Sequence, residues 1–276
     1  MSTMIALFLV LSALAGCASE TLVNVKNALP ETALSCAVEV ENRCGVLRDS
    51  QGAALADYAY ETPVLRILRE DGTVLDAGAT EEELEALELA ETFNTCFAVW
   101  EENALEQLEA AEADQEFRTK TEGPCYTSTL RCTVYRTAGL VSVRGVYESS
   151  AGGERVSTVL LSWNFDLETG SFFDPELLDE DGVLRTVVQN ELTLQAREAA
   201  AEQGEQPEAY FWPDYAAILA DWTNYAVSFD GSGMTVGFSP YELAAQGAGP
   251  QVFQIPYQTL LPYLNQHSRE LLGLDS

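Results

Sequence analysis

The sequence predicts an α+β protein in which antiparallel sheets pack with helices, arranged as two closely associated subdomains. Three observations carry that expectation. Apolar residues alternate with polar ones over 33–47, 53–68, 127–136, 140–148 and 156–166, each run bounded by turn residues. Two longer stretches, 81–116 and 183–203, switch to a helical period. Strands and helices follow one another without βαβ regularity. With 276 residues, 47% hydrophobic and 21% charged, the chain has apolar surface enough for a substantial core.

Residues 1–16 read as a lipoprotein signal peptide. An apolar run from Met4 closes on Leu14-Ala15-Gly16-Cys17, small residues before a cut and then a cysteine whose sulfur takes the lipid. The run is too short to span a bilayer. Cys17 is the expected lipidation site and the first residue of the mature protein. It places the body in an extracytoplasmic position, lipid-anchored to the outer face of the cell membrane. One feature departs from the pattern, because Met1-Ser2-Thr3-Met4 carries no Lys or Arg. Residues 17–33 form a tether containing Pro30, and its ~15 residues reach at most roughly 50 Å.

The N-terminal subdomain, 34–150, begins with two strands joined at the turn Asp49-Ser50-Gln51-Gly52. Cys36, Val38, Val40 and Cys44 share one face of the first strand. At about 3.3 Å per residue, Cys36 and Cys44 stand ~26 Å apart on an unbroken strand, too far for a disulfide. In 81–116, Phe93, Phe97, Trp100, Ala104, Leu108 and Ala111 recur at three and four residues and form one apolar stripe, with Cys96 at its border and expected to be buried. The same stretch holds thirteen acids and no base, which suits either a solvated face or a docking surface for a cation. Two further strands meet about Ala138-Gly139.

The C-terminal subdomain, 151–276, continues with the strand 156–166 and a helix over 183–203, expected to turn Leu184, Val187, Val188, Leu192, Ala196 and Ala199 inward. A hairpin closes at Asp230-Gly231-Ser232-Gly233. A strand over 251–255 leads into a helix from about Tyr257, with Leu260, Leu261, Leu264 and Leu271 inward.

Charge and cysteine content narrow the chemistry. Formal net charge is −30, which repels nucleic acid and anionic lipid and favours a cationic partner. Beyond Cys17 lie Cys36, Cys44, Cys96, Cys125 and Cys132, which should oxidise outside the cytoplasm where geometry allows, with at least one left over. No Cys-x-x-Cys spacing exists and His267 is the only histidine. Zinc, a Ser-His-Asp triad and a Cys-His pair are therefore not expected, and no catalytic residue, metal or cofactor is assigned.

Two blocks of residues carry a resemblance to a known family. The first is Leu140-Val141-Ser142-Val143, then Ser150-Ala151-Gly152-Gly153, then Trp163-Asn164-Phe165-Asp166-Leu167-Glu168-Thr169-Gly170, followed by an acidic stretch from Phe172 to Leu178. The second is Gly237-Phe238-Ser239-Pro240-Tyr241-Glu242-Leu243-Ala244, then Gly249, then Val252-Phe253-Gln254-Ile255-Pro256-Tyr257. In this order and spacing they are similar to the RsiV/PdaC-like extracytoplasmic domains, a domain of unknown function 3298 preceded by a domain of unknown function 4163. The resemblance covers roughly 33–265 and implies an α+β fold in a protein of the bacterial cell envelope. Many relatives carry histidine after the paired glycines, whereas Gly153 is followed here by Glu154-Arg155. The zinc-deacetylase signature Thr-Phe-Asp-Asp-Gly is absent.

Together these readings lead to a lipid-anchored binding or sensing module of the cell envelope, with a peptidoglycan-related cell-wall glycan or a cationic, lysozyme-like protein as ligand. Candidate contacts are Pro240, Tyr241 and Glu242, with the aromatics Trp212, Tyr215 and Trp222. The motif also has a structural account, in which Asn164 and Asp166 cap the turn closed by Gly170 while Pro240 and Tyr241 anchor a strand exit. Two other readings compete: a glycan-active enzyme using Asp166, Asp214 and Asp221 beside tryptophans, and a structural envelope lipoprotein that docks a partner through 81–116.

Overall fold

The computed structural model describes residues 34–110, 126–150, 156–178 and 182–274. Cys17, the tether, Cys125, Gly152, Gly153 and the end of the acidic stretch beyond 110 lie outside the described residues. Helix and strand contribute in similar measure, as the α+β expectation requires. The strands form a six-stranded sheet in chain order and a three-stranded sheet.

The first sheet opens with β1 (Ser35–Arg48) and β2 (Ala54–Leu68), an antiparallel hairpin. Asp49 closes its turn, its carboxylate accepting the N–H groups of Gln51 (2.9 Å) and Ala53 (2.8 Å). The next strand, β3 (Tyr126–Arg136), runs parallel to β2 over Ala56–Tyr60, and this is the one departure from antiparallel order. The connection explains it: a long helix, α1 (Glu81–Ala110), intervenes where a tight turn would have reversed the chain. Beyond this segment the two strands part, and the Glu61 carboxylate accepts the Cys132 N–H (2.7 Å).

β4 (Leu140–Ser150) and β5 (Val156–Asp166) pair along their whole length, and β6 (Ser171–Phe172) finishes the sheet. The sheet therefore runs straight through residue 150, where the sequence suggests a division into subdomains. What divides is the core. Val141 and Val143 join Phe93, Phe97 and Phe165 beneath α1, whereas Leu140, one residue away on β4, belongs to a second core.

The α1 stripe forms as expected. Phe93, Phe97, Ala104 and Leu108 are buried, and Ala86 and Ala90 extend the row. Trp100 is half-buried, its ring edge-on to Tyr60 (5.3 Å) and Tyr147 (5.6 Å). Each fully buried phenylalanine contributes roughly 1.5–3 kcal/mol relative to exposure. The ten glutamates of α1 occupy its other faces, and Cys96 is half-buried rather than enclosed.

The second core is built by α2 (Val183–Glu202) against the sheet β7 (Ala226–Phe229), β8 (Gly233–Phe238) and β9 (Gln251–Pro256). α2 buries Leu184, Val188, Leu192, Ala196 and Ala200 at strict four-residue spacing, with Val187 and Ala199 half-buried beside them. The expected C-terminal helix is broken into a turn of helix at Tyr257–Leu260, a 3-10 turn at Leu261–Tyr263 and a helix at Gln266–Leu271. Pro262 supplies no N–H to continue the first, and the Asn265 side chain accepts the Ser268 N–H (2.8 Å) to start the last. Leu260, Leu264 and Leu271 are buried as expected, and Leu261 half so.

Cys36, Cys44, Cys96 and Cys132 are all free, so no disulfide joins the described cysteines. Burial raises the thiol pKa of Cys132 to about 12 and also raises Cys96. It raises Cys36 too, against the opposing pull of Arg136. Such thiols are poor nucleophiles.

Candidate functional site

The second motif block builds a braced surface turn. β8 ends at Phe238, and the chain reverses through Ser239-Pro240-Tyr241-Glu242, with the Glu242 N–H donating to the Ser239 carbonyl (3.0 Å). The Glu242 carboxylate accepts the Ser239 N–H in return. Tyr241 adopts φ 75°, the only non-glycine with positive φ among the described residues. Such a conformation costs about 1–3 kcal/mol and persists only where the surroundings hold it. Here three bonds hold it. The Tyr241 N–H donates to Ala244 O (3.1 Å), the Trp212 indole N–H donates to Tyr241 O (2.8 Å), and the Tyr241 hydroxyl donates to Gln246 Oε1 (2.9 Å). The Trp212 backbone N–H donates to Leu243 O (3.0 Å), so the 207–215 segment and the turn form one unit. Tyr241 nonetheless remains 60% exposed.

Pro240, Tyr241, Glu242 and Trp212 thus come together as the sequence suggests. Tyr215 and Trp222 do not join them at the surface. Tyr215 is buried and stacks on Phe211 (5.8 Å, 27°), and Trp222 is 1% exposed with its indole N–H on Arg185 O (3.3 Å). Both are core anchors behind the turn. An aromatic run has no period that distinguishes inward from outward rings, which is why the sequence could not separate them.

Sequence reasoning missed Tyr225. Its ring lies 4.6 Å from Phe238, and burial raises its hydroxyl pKa, with the carboxylates of Glu242, Asp221 and Asp214 pushing the same way. Glu242 belongs to the turn, and Asp214 and Asp221 are the two ends of the helix Tyr215–Ala220. Asp221, four residues earlier, is a local signal that could have marked Tyr225, whereas Glu242 comes to it only through the fold. Asp221 is also paired with Arg185 (3.1 Å).

The first motif block is a structural joint. Asp166 caps its turn as expected, accepting the N–H groups of Glu168 (2.8 Å) and Thr169 (3.3 Å), with Gly170 at φ 66°. Asn164 does not share that task. It is buried, its amide donates to Val227 O (2.9 Å), and its carbonyl accepts the Ser142 hydroxyl (2.8 Å), which accepts the Phe229 N–H (2.8 Å). The chain Asn164–Ser142 thereby fastens β7 onto the six-stranded sheet.

Of the three aspartates named for a glycan-active reading, Asp221 pairs with Arg185 (3.1 Å) and Asp214 and Asp221 flank the helix Tyr215–Ala220. Asp166 caps its turn through one carboxylate oxygen and lies 4.0 Å from His267 through the other. Among the described residues no group of three His, Cys, Asp or Glu side chains is placed to hold a metal, and no helix is long and apolar enough to cross a membrane.

The architecture, a strongly paired sheet with α1 beneath it and a smaller sheet and helix above, is that of a solved class of α+β proteins. It is similar to the crystal structure of a member of the DUF3298 family from Bacteroides fragilis, with a TM-score of 0.58 and 13% identity, covering 89% of this chain and 99% of that one. A DUF3298 family protein from Pseudomonas aeruginosa also matches, with a TM-score of 0.44 and 15% identity over 83% of this chain and 94% of that one. At 13% identity the likeness to the first shows a shared fold. No family model matches the chain, and no curated protein does.

Proposed function

We propose that this protein is a lipid-anchored extracytoplasmic binding module of the domain-3298 kind, carrying a 4163-like N-terminal part, whose ligand is a cationic, lysozyme-like envelope protein. The observation that carries this reading is Tyr241: an exposed aromatic on a turn whose left-handed backbone is braced by Trp212 and Gln246 and flanked by Glu242. A rigid exposed tyrosine supplies contact area without an ordering cost, which is how binding hot spots work. The acids around Tyr225 and the net charge of −30 would speed encounter with a basic partner. Cys17 would keep the module within a tether's reach of the membrane.

Binding of the purified protein to hen lysozyme and to insoluble peptidoglycan tests this. Lysozyme binding should weaken about tenfold or more between 50 and 300 mM NaCl. Tyr241→Ala should cost about 2 kcal/mol of affinity. Absence of lysozyme binding at 50 mM salt, with salt-insensitive binding to peptidoglycan, would replace the cationic protein by a glycan.

A further inference from the structure

Among the described residues several strand edges are closed by identifiable groups, and on the short free edge of β5 the Leu160 N–H donates to the Ser239 hydroxyl (3.1 Å). Asn94 of α1 accepts the Leu65 N–H (2.8 Å) and donates to Leu65 O (3.0 Å), while the Leu75 N–H reaches Ile67 O (2.8 Å), so the free half of β2 is capped. β7 is capped by Ser142 and Asn164, and Gln195 donates to Gln254 O on β9 (2.9 Å). β6 is two residues long. Short or covered edges are how folded proteins avoid unwanted pairing.

β1 has the longest edge left open among the described residues. Leu65 and Ile67 turn their backbone groups away from β1, so in an antiparallel ladder their partners Val38 and Cys36 turn theirs away from β2. The same alternation leaves the N–H and C=O groups of Val38, Val40, Asn42, Cys44 and Val46 pointing off the sheet. Among the described residues none bonds them; Arg136 reaches only Cys36 O. β1 has no proline or lysine, and it exposes Val40 (42%) and Val46 (47%). It is also electrically balanced, with Glu39 and Glu41 against Arg43 and Arg48, in a chain of net charge −30.

We propose that a second copy of this chain pairs antiparallel with β1, about a two-fold axis at Asn42, joining two six-stranded sheets into one. The sequence Val38-Glu39-Val40-Glu41-Asn42-Arg43-Cys44-Gly45-Val46 is close to a charge-complementary palindrome. This register sets Val38 against Val46, Val40 against Cys44, and Glu41 against Arg43 of the other copy, twice over. Outward groups meet outward groups, giving roughly ten backbone hydrogen bonds. The neighbouring registers fail on charge: an axis at Glu41 opposes two glutamates, and one at Arg43 opposes two arginines. An axis between residues sets outward groups against inward ones. Within each copy Glu41 already pairs with Arg66 (2.7 Å) and Arg43 with Glu101 (2.9 Å), so the new pairs would extend an existing row of alternating charge.

Sedimentation of the full chain in detergent at 0.3 M NaCl, from about 1 to 200 µM, tests the pairing, since a strand-sized interface gives a weak, concentration-dependent dimer. Val40→Pro removes an outward N–H while leaving the β1–β2 ladder intact, so it should stay folded by circular dichroism and lose the dimer. Arg43→Glu should weaken dimerisation about fivefold or more, and Glu41→Arg/Arg43→Glu should restore it. In a Cys44→Ser background, Glu41→Cys/Arg43→Cys should cross-link between copies, and Glu41→Cys alone should not. Wild-type protein that stays monomeric to 200 µM, or a Val40→Pro variant that dimerises as the wild type does, would overturn the proposal.

Discussion

β1 and β7 are both outermost strands, yet they meet their surroundings in opposite ways. β7 lies against β4 and β5, where Ser142 and Asn164 satisfy the backbone of Phe229 and Val227. β1 turns five outward pairs of backbone groups to its open side over Val38–Val46, and no described residue answers them. The difference shows what closing an edge requires. A side-chain amide carries one donor group and one acceptor, as a peptide does, so Asn94 on Leu65 imitates a missing strand within one residue. That imitation works only where packing holds the amide still. α1 and β5 supply such a frame for Asn94 and Asn164, and β1 has no layer beyond it to carry one.

The comparison can be broken in order of expected effect. Asn164→Ala strips partners from Val227 O and the Ser142 hydroxyl inside the core, and should lower unfolding free energy by about 3 kcal/mol in urea titrations. Asn94→Ala leaves Leu65 unpaired at a partly buried position and should cost about 1–2 kcal/mol, with faster hydrogen exchange at the Leu65 amide.

Asp230, in the β7–β8 turn, sharpens the comparison through pH. Burial opposes its charge, but the Ser232 hydroxyl, the Ser232 and Gly233 N–H groups and nearby Arg144 hold its pKa below the ordinary 3.8. A depressed carboxylate stabilises the fold above its unfolded value and loses that contribution as pH falls through the folded one. Wild type should therefore exceed Asp230→Ala in melting temperature at pH 6, and the gap should shrink below pH 3.8. The smallest effect is expected at Gln195→Ala. Its cap on Gln254 is exposed to water, and the change should fall within about 0.5 kcal/mol in the same titrations.

Much of the fold was legible because it is written in short-range periods. The β1–β2 and β7–β8 hairpins, the α1 stripe through Phe93 and Phe97 and the α2 row from Leu184 follow from alternation, four-residue spacing and turn residues. The surface turn at Pro240, Tyr241 and Glu242 was legible as a motif, and Trp212 as its neighbour. Asn164 looked like a second turn cap, because a sequence shows what a side chain can bond locally and not what lies across a sheet. The broken C-terminal helix was signalled by Pro262 but hidden by leucines in a helical period.

By itself the sequence determined the elements, the acidic face of α1 and which residues would be polar or apolar, since these depend on neighbours a few positions away. Tertiary structure alone decided the parallel β2–β3 pair, the passage of one sheet through residue 150 and the burial of Trp222 and Tyr215. It also decided that Glu242 acts on Tyr225 from across the turn and that β1 keeps its outer edge open. Each depends on which distant segments pack together, a choice made by the burial of whole faces and carried by no local stretch of chain.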